Sequence, residues 1–397
     1  MRGLKRPRAL EVIVTADDLG ICAARNRGIA EAARAGAVSA ASLLANGPAV
    51  RGAVRTFVAD GNAALLGVHL NFTQGRALSP AERIPTLLGD GALFLGAAGF
   101  REAWARGAID PAELIEEAAA QLSWFRSEVG RPPTHADGHQ HVHVLPGCAE
   151  LLGPVLLAAG VRHTRIPYEA LPSTAAPACP TCAAALAHAA AARLPYAVAG
   201  VVAPQHFVGL SFCGVPYGPE DLLGAVRRVQ RSDAAREVDP ATHASGTGRE
   251  EDAATAKTAR LAPPRVVEIM THPGALLGVA AAGDRGGGGG GWGWGDDGGF
   301  SSAPERWQEL QTLCSPAWRD ALRLGRAGEV ADDSSAAAVE AAGELRLVGY
   351  EDSAGMAHLR EATGELCGAD EGLQTGRGEA AAAGGPRECV IQCQSAV

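Results

Sequence analysis

The 397-residue sequence predicts an α/β fold, a parallel (β/α) barrel, on three observations. Short β-branched apolar runs alternate with segments of helical spacing, which is the signature of a parallel sheet. The alternation continues over more than 250 residues, more than one dinucleotide-binding unit occupies. The most polar side chains stand where the apolar runs end, the place where ligands gather in parallel α/β folds.

Taken in order, Glu11–Thr15 (EVIVT) reads as a buried strand that runs into the polar turn Ala16-Asp17-Asp18-Leu19-Gly20. Ala23–Ala35 is helical, with Gly36 as its stop. Val38–Leu44 is the second strand, closed by Asn46-Gly47-Pro48, and a helix over Arg51–Val58 follows. Leu65–Leu70 (LLGVHL) is the third strand. Ala112–Arg126 has helical spacing, and Pro132-Pro133 introduces an extended segment that reaches His135. Leu151–Ala159 is a further helix and Val161–Ile166 a further strand.

Three stretches interrupt this rhythm. Residues 231–261 are polar and rich in Ala, Thr and Ser, and 283–302 are dominated by glycine, so both read as insertions. From 353 to 397 the chain is rich in Gly, Ala and Glu without sustained periodicity, which predicts a poorly ordered tail. One domain over 10–352 is therefore expected.

Composition narrows the function classes. Lys+Arg 35 against Asp+Glu 44 leaves a net charge of −9, which argues against a general binder of nucleic acid or anionic membranes. Hydrophobic content of 47% with 20% charged residues excludes a wholly disordered chain. The basic opening Met1–Arg8 is followed by neither a long apolar run nor a small-residue cleavage site, and no run of 18 apolar residues occurs, so a cytoplasmic protein is expected. Nine cysteines are too few and too odd in number for a disulfide scaffold. Cys179-Pro-Thr-Cys182 resembles half a zinc site, but no second pair completes it, and free or structural thiols are the expectation.

Four segments carry chemistry. Asp17 and Asp18 end the first strand, and two adjacent carboxylates repel unless a metal neutralises one of them; an ordinary helix cap is the competing reading. His135-Ala-Asp137-Gly-His139-Gln-His141-Val-His143 places four of the chain's 11 histidines within nine residues. If extended, this run would put all four imidazoles and Asp137 on one face, a set suited to a metal or to proton transfer. His69 ends the third strand beside Asn71, and in isolation it reads as a core histidine. Glu268-Ile-Met-Thr-His272-Pro-Gly again places a histidine after a strand.

TADDLG, GVHLN, THADGHQHVHVLP and EIMTHPG, in this order and spacing, resemble the four motifs of the YdjC-type carbohydrate (chitooligosaccharide) deacetylases. Further likeness lies in Asn26–Ala45, Arg165-Ile-Pro, Glu305–Leu310 with Ser315-Pro316, and Leu345–Asp352 as a closing strand. Leu19, Gly138 and Gln140 depart from the usual pattern without touching a proposed ligand. The resemblance implies a distorted (β/α) barrel that holds one divalent metal and removes N-acetyl groups from acetylated amino sugars or chitooligosaccharides. Asp18, His69 and His139 would be the metal ligands, Asp17 the general base and His272 the general acid. Arg165 would orient the base, while His141, His143 and Asn71 would support the ligands or meet the substrate. The family association favours Mg²⁺, whereas two imidazoles and a carboxylate favour Zn²⁺ by ligand preference, so Mg²⁺ is expected first and Zn²⁺ stays open. A homodimer is the family-based expectation.

Amide hydrolysis needs a polarised carbonyl, a base for the attacking water and an acid for the departing amine. Two other classes compete: a metal-dependent hydrolase of another ester or phosphoester, and a metal- or sugar-binding module that has lost catalysis. The first would want arginines or lysines near the motifs to hold phosphate charge, and no such cluster borders them in the sequence.

Overall fold

Ten consecutive buried residues form the central strand, β1 (Leu10–Leu19). The computed structural model describes residues 10–171, 175–238, 265–276, 300, 303–323 and 345–368. β1 is apolar along most of its length because both of its faces are covered, as in parallel sheets generally. β6 (Arg265–Thr271) flanks it from Leu10 to Ala16. On its other edge β7 (Leu345–Leu347) pairs with Leu10–Val12, and β2 (Ala40–Leu43) takes over from Thr15 to Leu19. With β3 (Leu66–Leu70), β4 (Ala136–Gly138) and β5 (His206–Val208), the order is β4-β3-β2-β1-β6-β5, every pairing parallel.

Past β4 the sheet continues through single parallel bridges, Ala136 to Thr164 and His163 to Val202. The sheet thus curls from β4 toward its other edge as a half-barrel, the distorted form of the predicted barrel. Val161–Ile166 was expected as a full strand but pairs only at His163 and Thr164; Pro167, lacking an N–H, cannot extend the ladder.

Helices cover the sheet: α1 (Ala23–Arg34), α2 (Val50–Ala59), α3 (Gly96–Ala105), α4 (Pro111–Val129), α5 (Cys148–Ala158), α6 (Pro180–Val198), α7 (Pro219–Val238), α8 (Glu305–Cys314), α9 (Pro316–Arg323) and α10 (Ala354–Gly368). The short α2 shows the rule that places them. It buries Val50, Ala53, Val54 and Phe57, an i, i+3, i+4, i+7 stripe, and covering a residue such as Phe57 is worth about 1.5–3 kcal/mol.

The 19-residue α4 is bounded by its sequence and committed to the loop that follows β3. Asp110 caps its first turn by accepting from Ala112 N at 2.9 Å, Pro111 occupies the first position, and Gly130 ends it at φ 80. Gln121 grips both backbone groups of Asn71, accepting from its N at 2.9 Å and donating to its O at 2.6 Å. Glu117 accepts from the amides of Leu78 and Ser79, and Glu113 from those of Thr86 and Leu87. A polar stripe on α4 therefore fixes a long loop that contributes to the site.

Two expectations about the insertions change. α7 continues through Val238, so the start of the 231–261 stretch is helical; the rest of it, and 283–302 apart from Phe300, lie outside the described residues. Residues 354–368, expected within a poorly ordered tail, form α10. Ser353 caps this helix through its bond from Met356 N at 3.0 Å, and its hydroxyl donates to Glu11 of β1 at 2.5 Å. A cap and a buried Met356 anchor a segment whose own periodicity is weak. The remainder of the tail, 369–397, is outside the described residues. Among the described residues no helix is long and apolar enough to cross a membrane.

Candidate active site

The adjacent acids Asp17 and Asp18 should point to opposite faces of a regular strand. A bulge prevents this: between Ala16 and Leu19 the register of β1 slips against β2, and Asp18 takes φ 64. Both carboxylates are thereby buried at the carboxyl end of the sheet with different partners. Asp17 faces Arg165, whose Nη1 and Nη2 donate to its two oxygens at 2.5 and 2.8 Å. Asp18 Oδ1 faces two imidazoles, His69 Nε2 at 3.4 Å and His139 Nδ1 at 3.0 Å.

Those three donors meet a simple test for a metal centre. Ligand bonds of about 2.0–2.2 Å separated by ~90–110° place neighbouring donor atoms roughly 3.0–3.5 Å apart. The far nitrogen of each imidazole is also committed. His69 Nδ1 donates to Asp137 Oδ1 at 2.7 Å, and His139 Nε2 lies 2.6 Å from Gln74 Oε1. Such outer partners fix the ring orientations and aim both inner nitrogens at Asp18 Oδ1. A second group with converging donor atoms, Asp17, His69 and Asp137, shares His69. Its two carboxylates are already bound by Arg165, so Asp18, His69 and His139 are the better fit.

Arg165 organises the centre. Besides Asp17, it reaches Asp137 from Nη2 at 3.0 Å and donates from Nε to Glu268 at 2.8 Å, without any exposed surface. Burial would lower its pKa, but the surrounding carboxylates hold it well above the usual value. Asp17 differs from its neighbour. Burial raises its pKa above the ordinary carboxylate value, Arg165 opposes the rise, and the charge on Asp137 adds to it. Burial also works against ionised Asp18, yet hydrogen bonds from His139 and His69 outweigh it and hold this carboxyl well below its ordinary value. His69, which burial would neutralise, is pushed up to about 10 by Asp137 and Asp18. Without a metal, it is therefore an imidazolium.

The run from His135 to His143 does not share one face. β4 stops at Gly138, and Gln140 and His141 adopt φ 54 and φ 60 within the tight turns of 139–144. Gly138 is needed there, because a Cβ would sit 2.6 Å from His143 Nδ1. His135 points away from the metal-competent set and stacks on Tyr350 with ring centroids 4.3 Å apart. Ser42 donates to Asp137 at 2.8 Å and so accepts from His135 Nε2 at 3.0 Å. His143 Nε2 donates to the carbonyl of Arg165 at 3.0 Å, and burial lowers its pKa to about 4. It positions the Arg165 backbone. His141 is buried beside it and neutral. The Asn71 side chain shapes its own loop, accepting from the amides of Thr73 and Gln74 and donating to Gln74 O at 2.7 Å.

His272 Nε2 stands 4.0 Å from Asp17 Oδ2. Burial lowers its pKa well below the usual value, Asp18 opposes this, and Arg25, Arg306 and Arg165 reinforce it. Its backbone is held from both sides: Arg25 Nη1 donates to its carbonyl at 2.6 Å, and its N–H donates to Glu309 at 3.2 Å. The expectation that no arginines cluster near the motifs is thus corrected by the fold. Arg25 of α1 and Arg306 of α8 both lie over the Phe300 ring beside His272. Their charges have local partners, Asp18 at 4.0 Å from Arg25 and Glu309 at 3.0 Å from Arg306.

Sequence reasoning therefore missed Ser42, Gln74, Arg25, Arg306 and Glu309. Gln74 lies only three residues beyond Asn71 in its motif, whereas the two arginines sit in helices and give no local signal. Asp137 lies inside the histidine run, where its count among the metal-competent groups concealed its work on His69 and Arg165.

Comparison with known proteins bears on most of the chain, up to residue 324. The family model described as YdjC-like protein matches residues 11–324. A Homo sapiens protein named carbohydrate deacetylase is 38% identical over 324 residues, which covers 80% of this chain and 88% of that one. A Mus musculus protein of the same name is 39% identical over 315 residues, covering 78% and 90%. A chitooligosaccharide deacetylase from Yersinia enterocolitica is 37% identical over a shorter 139 residues, 34% of this chain and 51% of the relative. Among solved structures, a candidate cellobiose-phosphate cleavage protein from Enterococcus faecalis V583 superposes with a TM-score of 0.51 at 19% identity, covering 79% and 94% of the two chains. At that identity the likeness concerns the fold alone.

Proposed function

The chain belongs to the YdjC-like protein family, and from that premise we propose that it is a metal-dependent carbohydrate deacetylase that hydrolyses N-acetyl groups of acetylated amino sugars or chitooligosaccharides. The observation that carries the reading is the division of labour between two adjacent buried acids. Asp18 is turned toward His69 and His139, while Asp17 is turned toward Arg165 and His272. One acid is thereby available to a cation and the other to a proton.

In this reading Asp18, His69 and His139 hold the divalent cation, Mg²⁺ first and Zn²⁺ as the alternative. When bound, the cation would polarise the acetyl carbonyl and make water more acidic, which is worth several kcal/mol in such sites. Asp17 takes the proton of the attacking water, a role usually worth about 10²–10⁴-fold. Its raised pKa suits a base working near neutrality better than an ordinary aspartate would. The bidentate Arg165 keeps its two oxygens in place. His272 delivers a proton to the departing sugar amine. As a neutral imidazole in the resting protein, it must acquire that proton during the cycle, and Asp17 Oδ2 at 4.0 Å is the neighbouring source. Low water access at these buried side chains strengthens each of these charge interactions.

The test is acetate release from N,N′-diacetylchitobiose after chelation, with Mg²⁺ or Zn²⁺ then restored singly. Metal-dependent acetate is expected from the wild type. Asp17→Asn should bind metal and lose turnover, and Asp18→Asn should lose metal affinity as well. Absence of acetate from metal-loaded wild type would move the substrate away from acetylated amino sugars, toward another ester or a binding role.

A further inference from the structure

The Cys179-Pro-Thr-Cys182 motif takes no part in the chemistry proposed above, yet the fold builds it into a reactive arrangement. Cys179 is the N-cap of the 19-residue α6, with Pro180 at the first helical position. Its Sγ accepts from Cys182 N at 3.3 Å and lies 3.2 Å from Cys182 Sγ. The two sulfurs are in van der Waals contact, and closing them to a disulfide of about 2.05 Å needs a shift of only ~1 Å. Both thiols are free.

Their environments differ in the way a two-step exchange requires. Cys179 is partly exposed, whereas Cys182 is buried against Phe207, Leu210 and Met270. Cys213, from the loop after β5, approaches both sulfurs, and Arg101 of α3 donates to the intervening Thr181 at 3.3 Å. The groups that act on the Cys179 thiol are Cys182 on its own helix and Cys213, and the guanidinium of Arg101 interacts with Cys179 and Cys182. Interaction with the neighbouring thiols of Cys182 and then Cys213 pulls the Cys179 pKa below the usual thiol value, while Cys182 is pushed up to about 12. A thiolate at a helix N-terminus is also favoured by the helix dipole. Cys22 caps α1 in the same manner, but Arg25 stands at the position where a second thiol would be, so the geometry of α6 is not a general consequence of a cysteine cap.

We propose that Cys179 and Cys182 form a redox-active dithiol that exchanges with small-molecule disulfides, Cys179 as the attacking thiol and Cys182 as the resolving one. The Cys179 thiolate attacks one sulfur of a disulfide RSSR, forming a mixed disulfide and expelling RS⁻, which takes up a proton. Cys182 loses its proton and attacks the Cys179 sulfur, expelling the second RS⁻, which is protonated in turn. The protein dithiol is oxidised by two electrons and RSSR is reduced to two RSH. The site also lies close to the candidate active site: Arg101 donates to Gln140 O at 2.8 Å, next to His139, and Phe207 lies under the Arg165 guanidinium.

The experiment exposes the full-length reduced protein to oxidised glutathione, blocks remaining thiols by alkylation and maps the peptides by mass. A Cys179–Cys182 disulfide is expected in the wild type. Cys182→Ser should instead accumulate a glutathione adduct on Cys179, and Cys213→Ser should still close the disulfide. At neutral pH, Cys179 should alkylate about ten-fold faster than free N-acetylcysteine, because an ordinary thiol is only a few per cent ionised there and the gain is partly offset by lower nucleophilicity. Alkylation of Cys179 no faster than free N-acetylcysteine, with no Cys179–Cys182 crosslink, would overturn the proposal. Stoichiometric zinc on the reduced protein, released by thiol modification at Cys179, Cys182 and Cys213, would overturn it as well.

Discussion

Replacing Arg165 by lysine keeps one positive charge in the centre and removes the planar fork. Arg165 makes four contacts with three buried carboxylates: two to Asp17 at 2.5 and 2.8 Å, one to Asp137 at 3.0 Å and one to Glu268 at 2.8 Å. An ammonium presents its donors from a single atom and cannot span three acids arranged around a guanidinium. Losing two of the four contacts, at about 1.5 kcal/mol for a hydrogen bond to a charged group, costs roughly 3 kcal/mol. That figure lies at the lower end of the ~3–5 kcal/mol measured when buried pairs are broken. The loss should also depend on pH. Burial already raises the Asp17 pKa and Arg165 opposes it, so weakening that partner raises it further. A carboxyl whose folded pKa exceeds its unfolded one contributes stability that is full below the unfolded pKa and is lost as pH rises through the folded one. Urea unfolding should therefore show a larger deficit for Arg165→Lys at about pH 8 than at about pH 5. Because Asp17, as the proposed base, must be ionised to act, the acid limb of the kcat/KM profile should move to higher pH in the variant. Stability within about 0.5 kcal/mol of wild type at both pH values, with an unmoved acid limb, would refute this account of Arg165.

Three further outcomes follow from the same geometry. Asp137→Asn removes the carboxylate that orients His69, and metal affinity should fall by about 10–100-fold in a competition titration while the fold persists. Cation binding should release close to one proton near neutral pH, because the apo protein carries His69 protonated with a pKa of about 10 and a ligating imidazole must be neutral. Calorimetry in buffers of different ionisation enthalpy would reveal it, and a buffer-independent heat would count against it. Gly28→Ala should destabilise by about 1–3 kcal/mol in a denaturant titration, since the added Cβ would stand 2.5 Å from the Gly274 backbone, where α1 packs on the segment carrying His272.

Much of the architecture was legible because it rests on short-range rules. EVIVT and LLGVHL are apolar runs too short for helices; EVIVT lies in β1, and all of LLGVHL but Leu65 lies in β3. The stripe from Val50 to Phe57 and the helical spacing of Ala112–Arg126 carry α2 and α4 locally, although sequence reasoning missed the Asp110-Pro111 start of α4. Elements that rely on distant contacts were less readable. Val161–Ile166 looks like a strand by composition but has partners at only two residues. Helix α10 lacks a strong pattern and is secured by Ser353 and Glu11, residues more than 340 positions apart.

The candidate site divides along the same line. The sequence by itself determined which carboxylates and imidazoles stand at the ends of strand-like runs, Asp17, Asp18, His69, His139 and His272, since residue type and place in the chain suffice to say so. Tertiary structure decided how they are shared. The bulge in β1 separates two adjacent acids into different environments, and the turn after Gly138 sends His139 toward Asp18 while His135 stacks on Tyr350. Arg165 binds carboxylates contributed by β1, β4 and β6, the nearest of them 28 positions away in sequence. Local spacing cannot encode such a choice, because charge pairing and desolvation depend on distances that exist only once the sheet has curled.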